Sequence, residues 1–217
     1  MVRVDVWSDI ICPWCYIGRR RFEQALAGFE HRDQVEVVHH SFQLDPTYPA
    51  GRTELSTEML SRKYGMDVAE AAAMESKMEA TAAGEGLEYH MDGLHIGNTA
   101  DAHRLVHLAA SAGLQDAMVE RLFRAHFTDR RSVFSPSSLA ALAVEVGLDP
   151  AEVEAVLSSD RYAAEVEEDA ATASRLGANG VPFFVLDMRY GVSGAQPTEL
   201  FTQALTEAWD TSSYARS

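Results

Sequence analysis

The stretch Ile10-Ile11-Cys12-Pro13-Trp14-Cys15-Tyr16 decides how the rest of the chain is read, because its Cys-x-x-Cys holds both cysteines of the 217 residues. On its N-terminal side Val2, Val4 and Val6 alternate with Arg3, Asp5 and Trp7 at the period of a strand that ends near Ser8 and Asp9. On its C-terminal side Ile17, Phe22, Ala25, Leu26 and Phe29 recur at helical spacing, and Pro13 suits the first turn of a helix. Cys12 therefore falls at a helix N-terminus, where unpaired backbone N–H groups and the positive end of the helix dipole favour a thiolate. Cys15 lies one turn deeper on the same face, within reach of a disulfide to Cys12.

Length and composition set the surroundings of this motif. With 47% hydrophobic and 24% charged residues, the chain can build a sizeable core in one generous domain, or in one domain carrying an inserted second one. Disulfides are not needed to hold it together. A formal net charge of -15 gives an acidic surface that repels phosphate backbones and anionic membranes, so neither nucleic acid nor membrane is expected as a partner. No run approaches the ~20 apolar residues of a membrane span. The N-terminus has one arginine followed by an aspartate and does not read as a signal peptide. The expected location is cytoplasmic, where an isolated cysteine pair is catalytic, redox-sensing or metal-binding rather than a structural cross-link.

A second strand is expected over residues 35–42, and Asp45-Pro46 with Tyr48-Pro49-Ala50-Gly51 marks a loop or hinge after it. Residues 54–176 then carry repeated helix signals and almost no strand pattern. Asp67, Thr99, Ser135-Pro136 and Asp149-Pro150 open helices; Gly65, Gly84 with Gly86, Gly113, Gly147 and Gly177 close them. Strand character returns at residues 181–186, followed by a tight turn at 187–189 and a hairpin partner at 190–193. Pro197 begins a final helix to about residue 209, and the polar tail 211–217 is expected to fray.

Other readings of the motif stand beside the redox one. Tetrahedral zinc would need two ligands beyond the cysteines, and only histidines could supply them. His103 and His107 are four apart on one expected helix, but histidines flanking an apolar face are more often core or surface residues, and no metal is expected. His39 and His40 point to opposite faces of their strand and cannot chelate together. Arg19, Arg20 and Arg21 read as a solvated helix face. Met59, Met66, Met74, Met78 and Met91 read as core, with an adaptable binding surface as the alternative. Val181-Pro182 is a second chemical signal, since proline removes a ladder donor at the start of a buried strand. A cis bond there would present the Val181 backbone beside the cysteines, where an extended substrate could add as a strand.

Three stretches carry a family resemblance: Cys12-Pro13-Trp14-Cys15-Tyr16-Ile17-Gly18, Asn98-Thr99-Ala100-Asp101-Ala102-His103-Arg104-Leu105, and residues 177–185 with Val192-Ser193-Gly194-Ala195-Gln196. With the order of elements, they make the whole chain resemble the DsbA-like branch of the thioredoxin superfamily. The resemblance is closest to FrnE-like oxidoreductases related to 2-hydroxychromene-2-carboxylate isomerases and kappa-class glutathione transferases. It implies an α/β thioredoxin fold, residues 1–52 and 177–217, with an all-helical domain, residues 53–176, inserted between the second and third strands as a lid.

By the same resemblance Cys12 is the nucleophile, Cys15 the resolving thiol, and Pro182 the cis-proline facing them. Pro13, Trp14, Val181, Asn98 and His103 become candidate substrate-binding residues, although capping and packing explain Asn98 and His103 equally well. Asp5 is the nearest equivalent of the acid that many relatives bury as a proton acceptor; it could equally face solvent, and Asp9 could cap the helix. Two departures matter. The isomerase and transferase relatives carry serine where this chain has Cys12, and periplasmic DsbA enzymes carry histidine where it has Trp14. The implied activity is thiol-disulfide oxidoreduction on protein or small-molecule thiols and disulfides, with no resident cofactor and glutathione as candidate co-substrate. A glutathione-dependent isomerase or transferase, and a non-catalytic polypeptide-binding or redox-sensing protein, are the alternatives. The oligomeric state is left open, with a homodimer among the options.

Overall fold

The computed structural model describes residues 1–212. The chain runs β1 (Val2–Ser8), α1 (Pro13–Ala27), β2 (Val35–Ser41), β3 (Thr53–Leu55), α2 (Ser56–Tyr64), α3 (Val68–Gly84), β4 (His95–Gly97) and α4 (Ala100–Ser111). It continues through α5 (Gln115–Phe127), α6 (Pro136–Val146), α7 (Pro150–Leu157), α8 (Ala163–Arg175), β5 (Phe183–Leu186), β6 (Tyr190–Ser193) and α9 (Thr198–Thr211). The tail expected to fray lies, from residue 213 onward, outside the described residues. Contacts divide the chain into two units, Met1–Leu44 with Ala164–Ser217, and Asp45–Ala163.

The first unit is built on a four-stranded sheet of order β2-β1-β5-β6. β1 runs parallel to β2 and antiparallel to β5, with Val4 opposite Val37 on one side and Val6 opposite Phe184 on the other. The strand alternation decides the layers. Val2, Val4 and Val6 face one side of the sheet, packing with Phe22 and Ala25 of α1 and with Phe201, Leu205 and Ala208 of α9. Each large side chain buried there contributes roughly 1.5–3 kcal/mol. Trp7 joins the other face, in a cluster with Ala173 of α8 and with Phe183 and Val185 of β5. Its indole Nε1 donates to the Asp169 carbonyl at 2.9 Å. The turn between β5 and β6 uses two left-handed residues, Asp187 (φ 49) and Met188 (φ 53).

The placement of α8 corrects the expected domain boundary. A helical pattern identifies a helix but not the layer it covers, and α8 groups with the sheet unit because Ala173 and Asp169 pack against Trp7. Residues 45–52 conversely group with the helical unit.

The second unit contains α2 to α7. Its local signals at α2, α3, α6 and α7 act as expected. Gly65 takes the left-handed φ of 68 that ends α2, and Asp67 opens α3 with a reciprocal capping box to Glu70. Ser135 and Asp149 accept backbone N–H bonds at the starts of α6 and α7. The unit is not wholly helical, because β3 and β4 pair antiparallel, Thr53 opposite Gly97 and Leu55 opposite His95. Strands of three residues are too short to show a period. The methionines divide: Met91 is buried and Met74 is exposed. Among the described residues no helix is long and apolar enough to cross a membrane.

Candidate active site

The first strand delivers the dithiol directly. Cys12 is the N-cap of α1 in extended backbone (φ −86, ψ 111), and Pro13 occupies the first turn, where its missing N–H costs nothing. The Cys12 N–H donates to the Asp9 carbonyl and the Cys15 N–H to the Cys12 carbonyl, both at 3.0 Å. Both thiols are buried, Cys12 at 5% and Cys15 at 1% exposure. Burial pushes the Cys15 thiol well above its ordinary value. A hydrogen bond with Cys12, the Cys12 charge and the Asp9 carboxylate add to the shift, while a hydrogen bond with the Asp9 backbone opposes it. Beside the cysteines, Trp14 is 44% exposed and Pro13 is half-buried.

The third expected element is in place. The Val181-Pro182 peptide is cis, and the Cys12 Sγ lies 3.8 Å from the Val181 carbonyl oxygen. Pro182 is held from two sides. Its carbonyl accepts from the Gly194 N–H at 2.8 Å, and its ring lies against Gly18 of α1, where an added Cβ would stand 2.8 Å from Pro182 Cγ. Gly18 is thus the residue that lets the Cys-x-x-Cys helix approach the proline strand. It belongs to the Cys-x-x-Cys stretch, but nothing local in sequence shows that its missing side chain is used.

Asp5 does not meet the cysteines. It lies on the β1 face opposite α1, hydrogen-bonded by Arg3 Nε at 3.0 Å and His40 Nε2 at 2.7 Å. Burial works to raise its carboxyl, but the hydrogen bonds from His40 and Arg3 hold it below the ordinary carboxylate value. The other nitrogen of His40 meets Asp169 at 2.8 Å, and the ring stacks on Trp7 at 4.4 Å. The carboxylate whose charge helps to raise the Cys15 thiol is Asp9, which is fully buried and accepts from the Leu44 N–H at 2.7 Å. Asp9 is not the helix cap; Cys12 holds that position itself.

The arginine run is also not a uniform solvated face. Successive helical residues are about 100° apart, so three in a row cannot share a face. Arg19 is 7% exposed, paired with Glu23 at 2.8 Å and 3.2 Å from His39 of β2. Arg21 donates to the Ala195 carbonyl at 2.6 Å.

Asn98 and His103 belong to the helical unit. Asn98 donates to the Tyr48 carbonyl at 2.7 Å and accepts from the Ala100 N–H at 2.9 Å, so it supplies the capping at α4 that was expected of Thr99. His103 is buried on α4, and His107 stacks on Tyr162.

A mixed sheet whose first strand opens into a buried dithiol helix, with a cis-proline strand end at the outer sulfur, is the site of a thioredoxin-fold thiol-disulfide oxidoreductase. More narrowly, residues 3–206 match the DSBA-like thioredoxin domain, and the chain belongs to that family. A probable DsbA oxidoreductase from Streptomyces coelicolor is 52% identical with a TM-score of 0.95, the match covering 98% of this chain and 92% of that one. A 2-hydroxychromene-2-carboxylate isomerase has a TM-score of 0.70 at 14% identity, covering 99% and 100% of the two chains. The cytosolic disulfide reductase DsbM from Pseudomonas aeruginosa, solved with GSH, has a TM-score of 0.67 at 22% identity, covering 94% and 98%. At those identities the last two share the fold.

Proposed function

We propose that this protein exchanges disulfides with polypeptide or small-molecule substrates in the cytoplasm, with Cys12 as nucleophile and Cys15 as resolving thiol. The observation that carries the reading is the placement of Cys12 at the helix N-cap, its sulfur 3.8 Å from the Val181 carbonyl, with Cys15 buried behind it. The Cys12 thiolate attacks one sulfur of a substrate disulfide; the Cys12–S bond forms, the substrate S–S bond breaks, and the leaving sulfur takes a proton from solvent. Cys15 then gives its proton to Asp9, in place of Asp5, the candidate acceptor by resemblance, and attacks Cys12 Sγ. The Cys12–Cys15 disulfide forms as the mixed disulfide breaks, and the second substrate sulfur leaves and takes up the proton released by Cys15. The substrate has gained two electrons and the dithiol has lost two; the reverse sequence oxidises a substrate dithiol. The raised affinity of Cys15 for its proton supports this order, because the resolving thiol stays unreactive until the mixed disulfide exists.

An extended substrate strand lies along the Val181 backbone, with Pro13 and the exposed Trp14 beside it. Glutathione is the proposed thiol co-substrate, and the fold-level neighbours described as cytosolic and as solved with GSH support both the location and this role. Turnover of a model disulfide by wild type, Cys12→Ser and Cys15→Ser tests the assignment. Both variants are expected to lose sustained turnover; full activity in both would show the dithiol is not the catalyst.

A further inference from the structure

The helical unit holds a cavity of about 310 Å3 that the dithiol chemistry does not use. It opens between the β3–β4 ribbon and the loop after α5, and two arginines and two histidines line it with no aspartate or glutamate among them. In a chain of net charge -15, a cationic lining is a local exception. From it we infer a binding site for a small organic anion, a phosphate or carboxylate head on a compact apolar body.

Arg130 carries the inference. It makes no ion pair or hydrogen bond among the described residues, while its neighbours are engaged: Arg131 with Glu145 at 2.7 Å, and Arg121 with Glu145 at 2.9 Å and Asp129 at 2.7 Å. Asp129 and Glu145 are therefore already engaged by other arginines, and the exposed Arg130 lines the cavity as a guanidinium with no ion pair among the described residues. Its backbone has a φ of 52, in the left-handed region that non-glycine residues rarely enter. A planar guanidinium is suited to bidentate recognition of carboxylate and phosphate.

Ser132 supplies a free donor at the rim. Its hydroxyl oxygen accepts from the N–H groups of Phe134 and Ser135 at 3.2 and 3.1 Å, which leaves its proton to donate. Phe134 and Leu94 provide apolar lining, and buried His126 stands edge-on to Phe134 with ring centroids 5.8 Å apart. The volume is at the low end of the ~300–1,000 Å3 of small-molecule sites, which suits a compact ligand rather than a polymer.

The test is titration of the full chain with phenyl phosphate, benzoate and uncharged benzyl alcohol, followed by backbone amide resonances of residues 130–134. Wild type is expected to bind at least one of the two anions, more weakly as salt is added, and to leave the alcohol unbound. The anion that binds tighter identifies the head group. Arg130→Asn keeps a residue that tolerates the left-handed backbone and is expected to weaken binding about tenfold or more. Ser132→Ala serves as a second variant, with a smaller loss in the same direction. The inference is overturned if neither anion shifts these resonances, if the alcohol binds as well as the anions, or if both variants bind as tightly as wild type.

Discussion

In His40→Gln the cation between Asp5 and Asp169 is removed, and the stability of the sheet unit loses a pH-dependent component. Burial disfavours the charged imidazole, but the hydrogen bonds to Asp169 and Asp5, at 2.8 and 2.7 Å, more than offset it and raise His40 from 6.5 to about 9. At ~1.4 kcal/mol per pH unit this corresponds to about 3 kcal/mol of stability. The folded-state value lies above the unfolded one, so the contribution is complete below pH ~6.5 and is lost as pH rises through about 9. Ordinary carboxylates do not titrate in that window, and the Cys15 thiol, also raised by folding, contributes equally to wild type and variant. Urea unfolding under a thiol reductant, followed by tryptophan fluorescence, reads the right unit, because Trp7, Trp14 and Trp209 all belong to it. The stability gap between wild type and variant is expected to narrow by about 3 kcal/mol from pH ~6 to pH ~10, leaving a residue from lost stacking on Trp7. A gap that stays flat or widens as pH rises refutes the account of His40 as a clamped cation.

Three further substitutions probe the site and its supports. Gly18→Ala places a Cβ 2.8 Å from Pro182 Cγ and is expected to destabilise by ~1–3 kcal/mol while lowering turnover; wild-type values in both would contradict the close packing of α1 on Pro182. Asp9→Asn separates two roles of the carboxylate: as proton acceptor its loss slows resolution of a Cys12 mixed disulfide by on the order of 100-fold near neutral pH, whereas a purely electrostatic role predicts faster resolution, since the charge opposing the Cys15 thiolate is gone. Asn98→Ala removes the α4 cap and the tie to Tyr48, and is expected to cost ~1–2 kcal/mol with turnover of the folded protein unchanged; lost turnover at full stability would instead assign Asn98 to the substrate.

What sequence makes legible here is local chemistry. The alternation in β1, the proline after Cys12 and the glycines and caps of the helical unit each act within a few residues, and they act as read except at α4, where Asn98 rather than Thr99 supplies the capping bond. The Val181-Pro182 bond was readable only because a family resemblance places it near the dithiol. What was not legible depends on distant partners. His39 and His40 could be assigned to opposite faces, but nothing in sequence pairs His40 with Asp169, 129 positions away. Asp5 and Asp9 are both acids near the motif; strand spacing puts Arg3 and Asp5 on one face, but only the packing brings His40 to Asp5 and leaves Asp9 as the carboxylate whose charge reaches Cys15. The run Arg19-Arg20-Arg21 reads as surface because charge usually is, yet α1 turns Arg19 toward β2. The β3–β4 ribbon was invisible because its strands are three residues each.

The central claim, that Cys12 attacks and Cys15 resolves, is most directly tested by mass mapping after incubation with glutathione disulfide. Cys15→Ser is expected to accumulate one glutathione adduct on Cys12, because the thiol that would displace it is absent; Cys12→Ser is expected to remain unmodified at the buried Cys15. An adduct on Cys15 in Cys12→Ser, or none on Cys12 in Cys15→Ser, would contradict the assignment.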